Sequence, residues 1–279
     1  MKKIFLFFKN LFISIKENGL ITHANELSYK LCLAFFPFII FLLSLLSFLK
    51  ISSNYFLEDI VTNLPESVSA LISVFIEEIT AKHTKSHAGL LSGSLILTII
   101  TASSGFDAVI KGISKAYGEK EERNFIIVRL TGIVLVLLLA FAIIASISIL
   151  IFGGAIYNTI IEKYSVPKFI MFAFSASGTL ILMVILLFTI IFIYKFATCK
   201  KVTVYETFPG AFITLIVWLL ASKGFNIYIS NFSRYSNVYG SIAGVIILML
   251  WLNIISAALL IGGAINALLM PEKERKRGI

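Results

Sequence analysis

Six long runs without Asp, Glu, Lys or Arg divide this 279-residue chain. They cover residues 31–49, 88–106, 130–161, 169–194, 207–222 and 235–271. A helix needs roughly 20 apolar residues to cross about 30 Å of hydrocarbon, so each run approaches or exceeds the length of a membrane span. The pattern predicts an all-α, polytopic membrane protein. Its six transmembrane helices are expected at about residues 29–50, 88–110, 130–157, 169–194, 207–229 and 238–269.

The composition excludes the main classes of soluble protein. Apolar residues make up 58% of the chain and charged residues only 14%, against about 25% charged residues in an ordinary soluble domain. A water-soluble enzyme, a disordered chain and a disulfide scaffold are therefore excluded. The chain carries no nucleotide-binding or nucleophile motif, and we expect no enzymatic activity, no cofactor and no metal. His83 and His87 have i, i+4 spacing, but without HEXXH a solvated loop is the preferred interpretation.

The basic residues are divided unequally between the two sides of the predicted membrane. If both termini and the second and fourth loops share one side, that side holds 17 of the 24 Lys and Arg residues. The positive-inside rule then predicts that both termini are cytoplasmic. The net charge of +9 predicts contact with anionic lipid head groups rather than with nucleic acid. These features are also compatible with a homo-oligomer.

The segments outside the spans complete a single predicted membrane domain, residues 1–279. Residues 1–28 are expected to form a cytoplasmic amphipathic segment whose Phe5, Phe8 and Phe12 dip below the head groups. The alternative is a helix packed against the bundle. Residues 51–87 are expected to form an outer helical loop with amphipathic helices, and residues 270–279 a charged cytoplasmic tail.

Four polar residues in the spans are candidates for a substrate path, because an unpaired polar group is costly there. They are Asp107, Lys223, Asn253 and Asn266. Two of these residues have an alternative interpretation without a substrate. Asp107 can form an i, i+4 ion pair with Lys111, and the long side chain of Lys223 can reach the membrane surface. The two asparagines are 13 residues apart and point roughly opposite ways on one helix, so one could line a cavity while the other bonds a neighbouring helix. Asn253 is near the middle of its span and is the better cavity candidate.

Five further residues are candidates for helix kinks or close packing: Pro37, Gly105, Pro209, Gly210 and Gly240. Pro37 lacks a backbone donor and interrupts the first span. Gly105 belongs to a small-residue stretch that allows neighbouring helices to approach closely. Pro209 and Gly210 are expected near the start of the fifth span.

Three blocks of sequence carry a resemblance to a known family. They are ELSYKLCLAFFPFIIFLL at 26–43, SGSLILTIITASSGFDAVIKGISKAYG at 92–118, and the long block from FPGAF to GGAINA at 208–267. They resemble the YihY/BrkB family of bacterial inner-membrane proteins, formerly mislabelled ribonuclease BN. The resemblance implies a six-helix bundle in the bacterial cytoplasmic membrane. The chain departs from the family pattern at Ser114, Asn253 and Ala264.

Three functions from different classes are compatible with these features. The first is a transporter or flippase-like protein for a lipid or another amphiphile. The alternative is an envelope-integrity scaffold that transports nothing. The least favoured is a ribonuclease, because the predicted cytoplasmic side offers only His23 and scattered carboxylates for phosphodiester hydrolysis.

Overall fold

A computed structural model describes residues 2–48, 88–163, 168–231 and 241–270. Regular structure in these ranges is entirely helical. The helices are α1 (Lys2–Glu17), α2 (Leu20–Phe48), α3 (Ala88–Ala116), α4 (Phe125–Lys163), α5 (Lys168–Ala197), α6 (Val204–Asn231) and α7 (Ser241–Leu269). The all-α prediction is therefore confirmed for the described residues.

Four of these helices are long and apolar enough to cross a membrane. The qualifying stretches are Phe125–Ile149 in α4, Ser177–Ala197 in α5, Val204–Phe225 in α6 and Gly244–Leu269 in α7. The multi-pass character of the chain is thus confirmed, while the count of six spans and the cytoplasmic position of both termini remain predictions. The predicted outer loop 51–87 with His83 and His87, the tail beyond residue 270, and Gly240 lie outside the described residues.

Helices α2 to α7 form a ring in chain order. Each packs against the next, and α7 returns to pack against α2. Helix α3 also contacts α5 and α7 and therefore lies towards the inside of the ring. Helix α1 packs against α7 and α2. The ends of α3, α5 and α7 and the starts of α4 and α6 consequently meet on the side where α1 lies.

Glycines in left-handed conformations end α1 and α3. Gly19 has φ 60° and Gly118 has φ 75°, values that favour glycine over residues with a Cβ. At the end of α3, Gly118 N donates to the Lys115 carbonyl and Glu119 N donates to the Ser114 carbonyl, both at 2.9 Å. These two bonds form a Schellman motif, which satisfies the last carbonyls of α3 and turns the chain towards α4.

Small residues allow close contacts between neighbouring helices. A Cβ on Gly105 of α3 would come within 2.7 Å of Ala34 Cβ of α2. Where α6 crosses α7, a Cβ on Gly210 would collide with the Gly262 carbonyl. Both positions are closed to larger side chains, as glycine-mediated helix contacts in membranes require. Pro37 lies inside α2, which continues on both sides of it.

Helix α1 shows features of both interpretations offered for it. Leu11 is buried, and Phe7 and Ile15 pack against the core, so one face is bound to the bundle. Phe5, Phe8 and Phe12 lie on another face and are 74%, 61% and 69% exposed. That face is free to enter a lipid surface.

Candidate functional site

The candidate site is a cavity of about 460 Å³ between α1 and the ends of α3 and α7. Helix α1 contributes polar side chains from one face, among them Asn10, Ser14 and Glu17. Asn18, in the turn after α1, also lines the cavity and donates a hydrogen bond to Ser14 Oγ at 3.2 Å. The volume falls within the range of roughly 300–1,000 Å³ found for small-molecule sites.

The opposite wall combines an ion pair with a buried phenol. Lys200 Nζ lies 3.0 Å from Glu119 Oε1, and these side chains are 16% and 13% exposed. Tyr117 is 6% exposed, and its hydroxyl has no hydrogen-bond partner in the described residues. Burial raises the pKa of Tyr117, so the phenol stays neutral. The nearby side chain of Asn266 opposes this rise in pKa, but it makes no hydrogen bond to the hydroxyl.

A second ion pair fixes the loop that leads from the cavity to α4. Glu121 Oε1 accepts from Arg123 Nε at 2.7 Å, and Glu121 Oε2 accepts from Arg123 Nη2 at 2.8 Å. Arg123 also donates to the carbonyls of Phe196 and Ala197 at the end of α5, where the helix dipole favours a cation. Burial alone would raise the pKa of Glu121, but the hydrogen bonds and charge of Arg123 lower it to about 2.

Asn266 joins α7 to the first turns of α6. It is fully buried; its Oδ1 accepts from Gly210 N at 2.6 Å, and its Nδ2 donates to the Thr207 carbonyl at 3.2 Å. Pro209 lies between these two backbone groups and has no N–H of its own. The carboxamide therefore supplies polar contacts to the backbone of α6 beside a position where the helix lacks a donor.

Asn253 joins α7 to a different helix. Its Nδ2 donates to Asn25 Oδ1 at 2.8 Å and lies 3.3 Å from Ser28 Oγ, both on α2. The two asparagines thus face different neighbours, as their spacing predicted. Asn253 does not line the cavity described above, although the sequence made it the better cavity candidate of the two.

Asp107 pairs across a helix contact rather than with Lys111. Its Oδ2 lies 3.2 Å from Arg129 Nη1 of α4, whereas Lys111 is exposed. The other carboxylate oxygen, Oδ1, is buried without a hydrogen-bond partner in the described part of the chain. A Cβ on Gly132 would come within 3.4 Å of this oxygen, so glycine at that position gives the carboxylate room.

The four predicted path residues do not form one site. Lys223 is exposed on α6, Asp107 lies between α3 and α4, and the asparagines bond α2 and α6. No hydrogen bond or ion pair links any two of them within the described ranges. Those ranges also contain no group of three or more His, Cys, Asp or Glu residues that could hold a metal ion.

Several residues of the site were missed in the sequence. The Asp107–Arg129 pair could have been predicted from the sequence. Both residues are the same distance along the chain from the turn glycine Gly118, and an antiparallel helical hairpin brings such positions together. Tyr117, Glu119 and Lys200 had no comparable signal. They lie in connections between helices, and only the three-dimensional arrangement of the helix ends brings them together.

Comparison with known proteins places the chain in a family. The family described as "Virulence factor BrkB" matches residues 11–278. The ribonuclease-like protein YfkH of Bacillus subtilis (strain 168) is 33% identical over 96% of both chains. A UPF0761 membrane protein of Actinobacillus pleuropneumoniae is 25% identical over 98% of this chain and 96% of its own length. No solved structure matches. The chain therefore belongs to the BrkB family of membrane proteins.

Proposed function

We propose that this protein moves a lipid or another amphiphile across the bacterial cytoplasmic membrane. The observation that supports this proposal best is the polar cavity of about 460 Å³ beside α1. Helix α1 presents polar side chains to the cavity and exposed phenylalanines on another face. A molecule with a polar head and apolar chains could place its head in the cavity and keep its chains in the lipid that the phenylalanines contact.

The surroundings of the cavity favour a membrane-surface location. Lys195, Lys200, Lys201, Lys115 and Arg123 all belong to the helix ends and connections on this side. Basic side chains close to a bilayer attract anionic head groups, at about 1 kcal/mol each. This distribution supports a cytoplasmic orientation for this end of the bundle, with both termini inside.

Lipid movement in proteoliposomes tests the proposal. Fluorescent phospholipids are reconstituted with the full-length protein, and an impermeant reductant bleaches those in the outer leaflet. We expect bleaching beyond the outer-leaflet half, and we expect Ser14→Trp, which fills the cavity from α1, to reduce it. Phe12→Trp is the matched control, because Phe12 lies on the same helix but is 69% exposed. Bleaching that stops at half with correctly folded protein contradicts lipid movement.

The same assay tests the path suggested by the sequence. Lys223→Leu and Asn253→Leu slow lipid movement if these residues lie on the path. Normal rates in both variants would remove them from it and leave the cavity route intact.

A scaffold without transport is the second candidate. It is favoured by the use of Asn253 and Asn266 for bonds between helices, since these bonds hold the ring in one arrangement. It predicts no lipid movement in the assay, while loss of α1 still impairs the cell envelope. Activity of purified protein on RNA, with and without a chelator, tests the least favoured function, that of a ribonuclease.

A further inference from the structure

We propose that the cavity beside α1 selects a zwitterionic head group carrying a phosphate and a primary amine, the chemistry of phosphatidylethanolamine. This inference rests on the proposed function, because it names the class of amphiphile whose head group the cavity takes. It is carried by the Lys200–Glu119 ion pair, which lines the cavity, and by Tyr117 on the same wall, whose buried hydroxyl has no partner in the described residues.

The ion pair favours a ligand with both charges. Lys200 and Glu119 are mostly buried and compensate each other at 3.0 Å. A ligand with a single negative charge can attract Lys200 only by leaving Glu119 without its partner, and an uncompensated charge in a buried position is costly. A ligand with a phosphate and an ammonium group can bind both side chains, so that each charge keeps an opposite charge beside it.

The remaining lining favours an ammonium group with N–H donors. Glu17 adds a second carboxylate on the α1 wall, and Asn10, Ser14 and Asn18 offer oxygen acceptors. A primary ammonium can donate three hydrogen bonds to such a lining, whereas the quaternary ammonium of choline can donate none. The neutral Tyr117 hydroxyl is buried behind this wall without a partner in the described residues. We expect it to donate to the phosphate when the head group enters beside Tyr117, which would satisfy this buried donor.

Equilibrium binding to the full-length protein in detergent tests this inference. Native mass spectrometry compares phosphatidylethanolamine, phosphatidylcholine and phosphatidylglycerol of identical acyl chains. We expect phosphatidylethanolamine to bind at least about fivefold more tightly than either other lipid, the factor that corresponds to about one hydrogen bond. Soluble glycerophosphoethanolamine is the competitor. If it binds as tightly as the lipid, the ligand is the free compound; if it competes only weakly, the ligand is the lipid.

Variants connect the preference to named side chains. Glu119→Gln should remove the preference over phosphatidylglycerol, because Lys200 then lacks a partner and attracts any anion. Tyr117→Phe should weaken phosphatidylethanolamine binding by about fivefold, the value of one neutral hydrogen bond. The matched controls Glu122→Gln and Lys201→Gln alter exposed neighbours that do not line the cavity and should change nothing. The double variant Glu119→Gln/Lys200→Gln leaves neither partner of the ion pair unpaired, so it should fold and should show a smaller preference for phosphatidylethanolamine than the unchanged protein, the remainder coming from Glu17 and the oxygen acceptors.

Equal binding of the three lipids to the unchanged protein, or a preference over phosphatidylglycerol that survives Glu119→Gln, would overturn the inference. The assay measures binding without transfer between leaflets. Selective binding without lipid movement would therefore reject the proposed function alone. Lipid movement without selective binding would reject the inference alone.

Discussion

Asn266→Ala should be among the most destabilising single substitutions in this protein. Asn266 is fully buried, and the substitution removes its bonds to Gly210 N at 2.6 Å and to the Thr207 carbonyl at 3.2 Å. A polar side-chain bond within a membrane protein contributes about 0.6 kcal/mol on average. The larger effect comes from burial, because the Gly210 N–H and the Thr207 carbonyl lose a polar partner at a site where no water replaces it, at about 1–3 kcal/mol. We therefore expect a loss of about 2–4 kcal/mol in the free energy of unfolding.

Asn253→Ala is the natural comparison. It removes the same side chain from the same helix, but Asn253 is partly exposed and its bonds go to side chains of α2. The expected loss is only about 0.6–1 kcal/mol. The free energy of unfolding of both variants can be measured in bicelles by steric trapping. Equal losses at the two positions would refute the assignment of the larger effect to the buried backbone donor.

Three further predictions follow from contacts at other positions. Glu121 has a pKa of about 2, against an ordinary value of 4.5. Its ionised form therefore stabilises the fold above about pH 4.5, and this stabilisation is lost as the pH falls towards 2. Thermal unfolding should show that the melting temperature of Glu121→Gln depends less on pH in this range than that of the unchanged protein. Gly210→Ala should prevent folding, because the added Cβ collides with the backbone of α7. Gly178→Ala is the control and should fold normally, because nothing lies within 4 Å of the Cβ added there. Size-exclusion chromatography distinguishes the folded from the misfolded variant. Arg129→Met should destabilise more than the double variant Asp107→Asn/Arg129→Met, because the single change leaves a partly buried carboxylate without its partner; additive losses in a double-mutant cycle would count against this pair.

The architecture could be predicted from the sequence because one physical requirement dominates it. A segment that spans a lipid bilayer must be long and apolar and must satisfy its own backbone, so charge-free runs identify helices directly. The helix ends were less accessible. Helix α2 begins at Leu20, before the predicted start of the span at residue 29, because α1 and α2 are separated only by a turn with Gly19 at φ 60°. Residues 20–28, which precede the predicted span, mix polar and apolar side chains, so hydropathy alone does not reveal that they are helical.

The candidate site was less predictable than the fold. Polar residues within the spans attract attention because they are costly, yet Asn253 and Asn266 are occupied by contacts between helices. The cavity is instead lined by Tyr117, Glu119 and Lys200, which look in the sequence like ordinary members of polar connections. Which connections meet depends on the order of the helices around the ring, and a pattern of hydropathy carries no information about that order.

The closure of the ring by α7 has a consequence for biosynthesis. Helix α2 leaves the ribosome early, yet one of its two main packing partners is the final helix of the ring. Helix α7 carries both Asn253, which bonds Asn25 and Ser28 of α2, and Asn266, which bonds the backbone of α6 at Thr207 and Gly210. Neither set of bonds can form until α7 is inserted. The nascent protein therefore passes through a stage in which these polar groups, at both edges of an open ring, lack the partners that α7 supplies. We therefore expect a chain that stalls before α7 to be less stable in the membrane and more readily degraded than a chain that contains α7, so insertion of this helix is expected to complete the stabilisation of the ring.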